Sequence, residues 1–281
     1  MIRVVHPFPS GLDGFVVAFI ALVAGASMAV AATLGLSMAL LQLSIGALND
    51  VVDAPRDAGR KPGKPIPAGL VTVSLARRIT VACAAAGLAL AAVGGPGLVA
   101  LALLGLAIGV AYDLRAKGTT LSWLPLAVGV PLLPVYGWLG ATGTLPGVFV
   151  ILVPAAANAG AALAIANALV DLERDEDAGS GSIAVALGPR RGALVVLALE
   201  AVVAALAVGT GAVLGAPTGW LAAVVVAACA PVGGAVLGLI AAERHGTGLR
   251  ELAWEAQAVG TGLLAVAWLG ALSAAGGTPG A

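Results

Sequence analysis

Long apolar segments alternate with short polar connections along almost the whole chain. Nine segments are long enough, at roughly 20 residues, to cross the hydrocarbon core of a bilayer as helices. Most breaks between them contain glycine or proline, whereas neither a charge nor a proline marks the first break, placed near Ala32. The pattern predicts an all-α integral membrane protein with one polytopic domain over residues 1–281. The predicted helices are 12–31, 33–50, 72–93, 97–113, 121–140, 147–170, 190–214, 219–241 and 252–274.

The composition supports this class. The chain is 60% hydrophobic and 10% charged, with a mean hydropathy of +1.06, whereas soluble domains are about 45–50% apolar and about 25% charged. The apolar stretch that begins at Phe15 is longer than the core of a signal peptide, so we predict a first transmembrane helix there. The predicted environment is a lipid bilayer, and no nucleic-acid partner is predicted.

The basic residues fix an orientation for the predicted helices. All of them fall on one side of the nine-helix arrangement, and the connections on the other side contain none. Basic residues in short loops mark the cytoplasmic face. We therefore predict a bacterial plasma-membrane protein with its N-terminus inside and its C-terminus outside. The basic residues are Arg3, Arg56, Arg60, Lys61, Lys64, Arg77, Arg78, Arg115, Lys117, Arg174, Arg190, Arg191, Arg244 and Arg250.

Two polar triads of identical spacing, N-x-x-x-D-x-x-x-D, interrupt the apolar pattern at predicted cytoplasmic helix ends. On a helix, residues at i, i+4 and i+8 share one face. Carboxylate and amide oxygens suit Mg²⁺, whose shell is usually completed by water and phosphate oxygens. The triads therefore predict a site in which two Mg²⁺ ions hold a diphosphate between them. The first triad is Asn49, Asp53 and Asp57, and the second is Asn167, Asp171 and Asp175.

The triads follow the second and sixth predicted helices, four helices apart. This placement predicts two related halves, about 12–113 and 121–241, followed by a last helix at about 252–274. Pro55 lies inside the first triad and predicts a helix break there.

Two acidic residues near this pattern have alternative interpretations. Asp50 is either a solvated charge or a hydrogen-bonding partner of the metal ligands. Glu200 lies at membrane depth and is either functional or paired with a neighbouring helix.

Basic residues accompany the triads. Arg60 and Lys64 lie in RKPGKPIPAG, where they either bind a phosphorylated ligand or set the topology and contact lipid headgroups. In YDLRAKG, Lys117 is a candidate phosphate ligand. Tyr112 either stabilises a cation through its ring or anchors the chain at the membrane interface.

With these motifs in place, the chain resembles the UbiA superfamily of intramembrane prenyltransferases over almost its whole length. The resemblance implies a helical bundle with a lateral opening to lipid. It also implies that the enzyme binds an isoprenyl diphosphate through Mg²⁺, transfers the prenyl group to a small acceptor and releases diphosphate, as in isoprenoid biosynthesis. The motifs that carry the resemblance are NDVVDAPRD followed by KPIPAG, YDLRAKG, and NALVDLERDEDAG followed by SIAVALG.

The resemblance also implies roles for individual residues. Both triads match the metal motifs, and their four aspartates are the candidate catalytic residues. Lys64 stands at the family's basic position, and Tyr112 and Lys117 match its Tyr-and-Lys segment with one extra residue between them. Ser182 stands where relatives often carry Thr. The implied diphosphate-binding residues are Arg60, Lys64, Tyr112 and Lys117.

Two other functions compete with prenyl transfer. A membrane terpene cyclase carries the same metal motifs, although an aromatic content of 4% argues against a cavity that guides a cyclising cation. A transporter usually places its site near the membrane midplane, whereas these acids lie at helix ends on one face. No residue in the sequence fixes the acceptor or the length of the donor chain.

Overall fold

A computed structural model describes residues 7–59, 63–244 and 247–276, and within these ranges the chain forms helices and turns without strands. The helices are α1 (Pro7–Val23), α2 (Met28–Asp57), α3 (Val73–Val93), α4 (Pro96–Ala111), a π-helical turn (Tyr112–Ala116), α5 (Leu124–Gly129), α6 (Leu132–Thr142), α7 (Phe149–Val170), α8 (Leu172–Asp177), α9 (Ile183–Leu187), α10 (Pro189–Val213), α11 (Thr218–Ala241) and α12 (Thr247–Ala274).

The prediction of an all-helical membrane protein is confirmed. Eight helical stretches in the described ranges are long and apolar enough to cross a bilayer, and α5 and α6 together form one of them, Leu124–Thr142. The apolar part of α1, Phe8–Val23, is shorter than the other eight. The predicted count of nine is therefore reached only when this short helix is included.

The first break lies earlier than predicted. α1 ends at Val23 and α2 begins at Met28, so the placement near Ala32 was wrong. Gly25 has a φ of +92°, which glycine adopts readily, and the Ser27 hydroxyl accepts the Val30 N–H at 3.3 Å as an N-cap. A glycine and a capping serine mark this break, which contains neither a charge nor a proline.

Pro55 does not break α2. The helix continues to Asp57, and the Ala58 N–H donates to the Ala54 carbonyl at 3.2 Å. Proline removes one backbone hydrogen bond, to the carbonyl four residues earlier, but the bonds on either side persist. The predicted break inside the first triad was therefore wrong, and the whole triad lies on one helix.

The chain divides into two compact units, Met1–Arg115 with Tyr136–Gly143, and Ala116–Val135 with Thr144–Ala281. In the first unit, α2 packs against α1 and α3. A Cβ added to Gly14 of α1 would lie 2.7 Å from the Gly35 carbonyl oxygen of α2, so these two helices touch through their backbones. Small residues permit such close approach where lipid provides no hydrophobic drive between helices.

In the second unit, α7 is the central helix and packs against α5, α10 and α12. Residues in its C-terminal half join a buried cluster that packs the helices on either side of the second triad together. The members of this cluster are Ala162, Ile165, Ala166, Leu169, Leu172, Ala184, Ala193, Val196 and Ala235.

We expect Gly160→Ala to lower the thermal unfolding temperature of the detergent-solubilised protein. A Cβ at Gly160 would clash with the Leu126 carbonyl of α5 and would lie 3.0 Å from the Ala127 Cα. Overpacking against backbone typically costs about 1–3 kcal/mol. Gly209→Ala on α10 is the matched control, because nothing lies within 4 Å of its added Cβ. Equal unfolding temperatures for the two variants would contradict the close α5–α7 contact.

Candidate functional site

The first triad lies on one face near the C-terminal end of α2. The side chains of Asp53 and Asp57 are buried, with 5% and 6% of their surface exposed. Asn49 donates from Nδ2 to Oδ1 of Asp113 at 2.7 Å. Because this bond uses the amide nitrogen, the Asn49 carbonyl oxygen faces away from Asp113. The triad therefore presents two buried carboxylates and one oriented amide oxygen.

Asp50 is a buried residue beside this triad, with 3% of its surface exposed. Its carboxylate forms an ion pair with the Lys64 ammonium. A buried charge requires such a partner, so burial excludes the solvated-charge interpretation of Asp50. The pair holds the Lys64 ammonium at Asp50, the residue that directly follows Asn49 of the triad.

The loop that carries Lys64 packs against α2. Ile66 and Val71 join Ala47 and Val51 of α2 in an apolar cluster. The N–H groups of Leu70 and Val71 both donate to the Pro65 carbonyl, at 3.0 and 3.3 Å. This compact turn gives Lys64 a fixed base. Arg60, the other basic residue predicted here, lies outside the described residues.

The π-helical turn follows α4 and contains Asp113, the buried partner of Asn49. A π-turn closes after five residues where an α-turn closes after four, so it accommodates the extra residue between Tyr112 and Lys117. Such turns are frequent at functional sites. Asp113 was not among the predicted site residues. An aspartate directly after Tyr112 at the end of an apolar helix is the signal that marks it.

The second triad does not lie on one continuous helix, contrary to the argument from its spacing. α7 ends at Val170, Asp171 occupies the junction with φ −95° and ψ 7°, and α8 begins at Leu172. The Asp171 N–H donates to the Ala168 carbonyl at 3.2 Å, a tighter turn than that of an α-helix. Asn167 therefore belongs to α7 and Asp175 to α8.

The second triad is also more exposed than the first. Asn167 is exposed, and Asp171 and Asp175 are partly exposed. Asp171 forms an ion pair with Arg174, one turn further along the chain, and both side chains are partly exposed. Exposed pairs of this kind contribute little to stability.

The loop after the second triad is tied to the segment that follows the π-turn. The Ser180 N–H donates to the Asp175 carbonyl at 2.8 Å, and the Gly181 N–H donates to the Gly118 carbonyl at 3.1 Å. Gly118 has a φ of +74°, a conformation that favours glycine. Lys117 directly precedes Gly118, so the hydrogen bond between Gly181 and Gly118 places this lysine beside the loop that follows the second triad.

Glu200 has a different position from the triads. It lies on α10 and is fully buried, and neither carboxyl oxygen has a hydrogen-bond partner within the described ranges. Within the described ranges, Glu200 therefore does not form the predicted pair with a neighbouring helix.

The residues of each triad fit a magnesium ion. Mg²⁺ typically takes one or two protein carboxylates and keeps water or phosphate oxygens in its remaining positions. Each triad provides two carboxylates and an amide. Within residues 7–59, 63–244 and 247–276, no three His, Cys, Asp or Glu side chains gather into a group that could hold a metal ion.

Fold and motifs together define a polytopic helical membrane protein. Two of its helices each end at an Asn/Asp/Asp triad, and each triad has a lysine nearby. The sequence profile of the UbiA prenyltransferase family matches residues 14–252. The chain belongs to the UbiA prenyltransferase family.

Individual relatives share the fold over nearly the whole chain. A UbiA homologue from Aeropyrum pernix K1 superposes with a TM-score of 0.74 at 21% identity, covering 95% of this chain and 98% of the other. A UbiA homologue from Archaeoglobus fulgidus, bound to DMAPP and Mg²⁺, gives a TM-score of 0.70 at 21% identity, covering 94% and 98%.

A sequence relative matches over a shorter stretch. The digeranylgeranylglyceryl phosphate synthase of Methanopyrus kandleri is 38% identical over 101 residues, which is 36% of this chain. The match spans 37% of that relative's length, little more than a third.

Proposed function

We propose that this chain is a Mg²⁺-dependent prenyltransferase that moves an isoprenyl group from an allylic diphosphate to a small acceptor and releases diphosphate. The observation that carries the proposal is the pair of Asn/Asp/Asp triads in a member of a prenyltransferase family. The DMAPP and Mg²⁺ bound by the Archaeoglobus homologue support the donor and the metal. The Methanopyrus relative is named as a synthase, which supports a prenyl-transfer activity for this chain.

In this proposal each triad holds one ion. When bound, Mg²⁺ neutralises the charge that builds on the diphosphate oxygens as the allylic C–O bond breaks. Asp53 and Asp57 are ligands at the first triad, where Asp113 orients the amide of Asn49. Asp171 and Asp175 have the same role at the second triad.

The basic and aromatic residues act on the two products of bond cleavage. Lys64 and Lys117 donate hydrogen bonds to the departing diphosphate, which strengthen as its charge grows. We assign Arg60 to the same group. Tyr112 stabilises the positive charge on the allylic group through the face of its ring. A nucleophilic atom of the acceptor then forms the new bond, and a proton leaves the acceptor.

The test uses purified protein with Mg²⁺ and allylic diphosphates of increasing chain length, first without and then with candidate acceptors. Because of the Methanopyrus relative, a prenylated glyceryl phosphate is the first acceptor to try. A transferase releases no diphosphate until its acceptor is added, and then releases diphosphate together with a prenylated product. Diphosphate release without an acceptor, giving a cyclic hydrocarbon or a terpene alcohol, would identify a cyclase instead. Absence of metal-dependent release under every condition would contradict both.

We expect Lys64→Ala to raise the KM for the donor by about tenfold or more with a smaller change in kcat. A hydrogen bond to a charged group contributes about 1.5–3 kcal/mol, and each 1.4 kcal/mol corresponds to tenfold in affinity. The measurement is steady-state kinetics with varied donor at saturating Mg²⁺.

Removal of Lys64 also breaks its ion pair with the buried Asp50, so the controls separate the two effects. Asp50→Asn keeps the lysine and breaks the ion pair, and its KM should stay near that of the wild type. The double variant should show the KM of Lys64→Ala. An unchanged KM in Lys64→Ala would mean that Lys64 does not bind the donor and that its role is the ion pair with Asp50.

A further inference from the structure

The two triads have identical spacing but different support. The first lies on the uninterrupted helix α2, so the helix itself fixes the relative positions of its three side chains. The second crosses the junction at Asp171, where the regular hydrogen bonding of α7 ends and the six-residue α8 begins. A junction of this kind leaves the angle between two helices undetermined unless another group fixes it.

Arg250 of α12 contacts both sides of this junction. Its Nη1 donates to the Leu169 carbonyl, in the last turn of α7, at 3.2 Å. The same nitrogen donates to Oε1 of Glu173, on α8, at 2.8 Å. The Arg250 side chain is buried, with 6% of its surface exposed. One guanidinium therefore links the end of α7 to α8.

These contacts suit the chemistry of each group. The last four carbonyls of a helix have no partner within that helix, and a cation near them interacts favourably with the helix dipole. Arginine has five N–H donors in a rigid planar fork, which allows one side chain to bond a carbonyl and a carboxylate together. Lysine has a single flexible ammonium and holds such a geometry less firmly.

Arg250 contacts α8 on the side away from Asp175. Successive helical residues are turned by about 100°, so side chains two apart point to nearly opposite sides. Glu173 and Asp175 both lie on α8 and are two positions apart, so the contact between Glu173 and Arg250 lies on the side of α8 away from Asp175.

We propose that Arg250 is a positioning residue that braces the junction at Asp171 and so fixes Asp175 relative to Asn167. Its effect on catalysis rests on the proposed function, whereas its effect on the angle between α7 and α8 does not. Residues that orient metal ligands without touching the metal typically change metal affinity or activity by about 10–100-fold when replaced.

The first test measures the junction directly and needs no activity. Cys83 and Cys229 are replaced by Ala, and spin labels are attached to cysteines introduced at Glu176 of α8 and Leu194 of α10, both exposed. α10 packs against α7, so it is a fixed reference for movement of α8. We expect one narrow distance distribution with Arg250 intact and a broader or displaced distribution in Arg250→Gln. Arg244→Gln, an exposed arginine just before α12, is the matched control.

The second test measures the consequence for the metal. In Arg250→Gln, the Mg²⁺ concentration for half-maximal diphosphate release should rise about tenfold or more, with partial rescue in Arg250→Lys. Glu173→Gln keeps an acceptor for the guanidinium, so it should have a smaller effect in the same direction.

The outcomes separate the brace from the proposed function. A lower unfolding temperature with an unchanged distance distribution and an unchanged Mg²⁺ requirement would overturn the positioning role. If Arg250→Gln does not fold, Arg250→Lys and Glu173→Gln decide the question by the same two measurements. A wild-type protein without Mg²⁺-dependent release would overturn the proposed function, and the distance distributions would still test the brace.

Discussion

Asp53→Asn should reduce the rate of diphosphate release by about 10³-fold or more while leaving the protein folded. The substitution keeps the size of the side chain and removes one negative charge from the first triad, where the proposed mechanism needs it for Mg²⁺. Losing one preorganised electrostatic group in an active site typically costs about 10²–10³-fold, and the loss of a metal adds to this.

The fold of this variant should persist. Asn keeps the size of the Asp side chain and its capacity for hydrogen bonds, so the buried position stays filled. We therefore expect an unchanged circular dichroism spectrum and a single cooperative unfolding transition. Glu243→Gln, which neutralises an exposed acid beyond α11, should retain full activity. Near-normal turnover of Asp53→Asn with Mg²⁺ would remove the first triad from the mechanism.

Asp171→Asn should cause a loss of similar size at the second triad, again about 10³-fold in turnover. Asp171 also pairs with Arg174, so the loss of the ion pair must be separated from the loss of the carboxylate. Arg174→Gln is the matched control because it breaks the same pair and keeps Asp171. An exposed pair contributes only about 0–1 kcal/mol, so both variants should unfold near the wild-type temperature.

Comparison of these two variants separates the possible roles of the second triad. Activity lost in Asp171→Asn and kept in Arg174→Gln supports metal ligation by the carboxylate. Equal losses in both variants would mean that the ion pair matters and not the carboxylate alone. Full activity in Asp171→Asn would contradict the assignment of this triad to the metal.

The sequence predicts the helical membrane fold because the signal is physical and local. Apolar segments of about 20 residues have few stable environments other than a bilayer, and all the long spans except the first lie within four residues of the predicted bounds. The errors concern features whose signal is weak or is overruled. Gly25 and Ser27 mark the first break without charge or proline, and α2 tolerates Pro55 because the hydrogen bonds around it persist.

The candidate site is predictable in composition but not in detail. The repeated N-x-x-x-D-x-x-x-D pattern identifies six residues, yet the two copies adopt different local structures. The second copy by itself does not reveal the junction at Asp171. Arg250, which bonds Glu173 beyond this junction, lies 77 residues further along the chain than Glu173. The buried Asp50 likewise pairs with Lys64, which reaches it from a separate loop.

The most direct measurement is a structure of the protein with Mn²⁺ in place of Mg²⁺ and an unreactive thiolo analogue of an allylic diphosphate. Anomalous scattering locates the Mn²⁺ ions independently of any activity. We predict one ion on the carboxylates of Asp53 and Asp57, another on those of Asp171 and Asp175, and diphosphate oxygens in contact with bound metal. Ions or diphosphate bound away from these aspartates would contradict the proposed function.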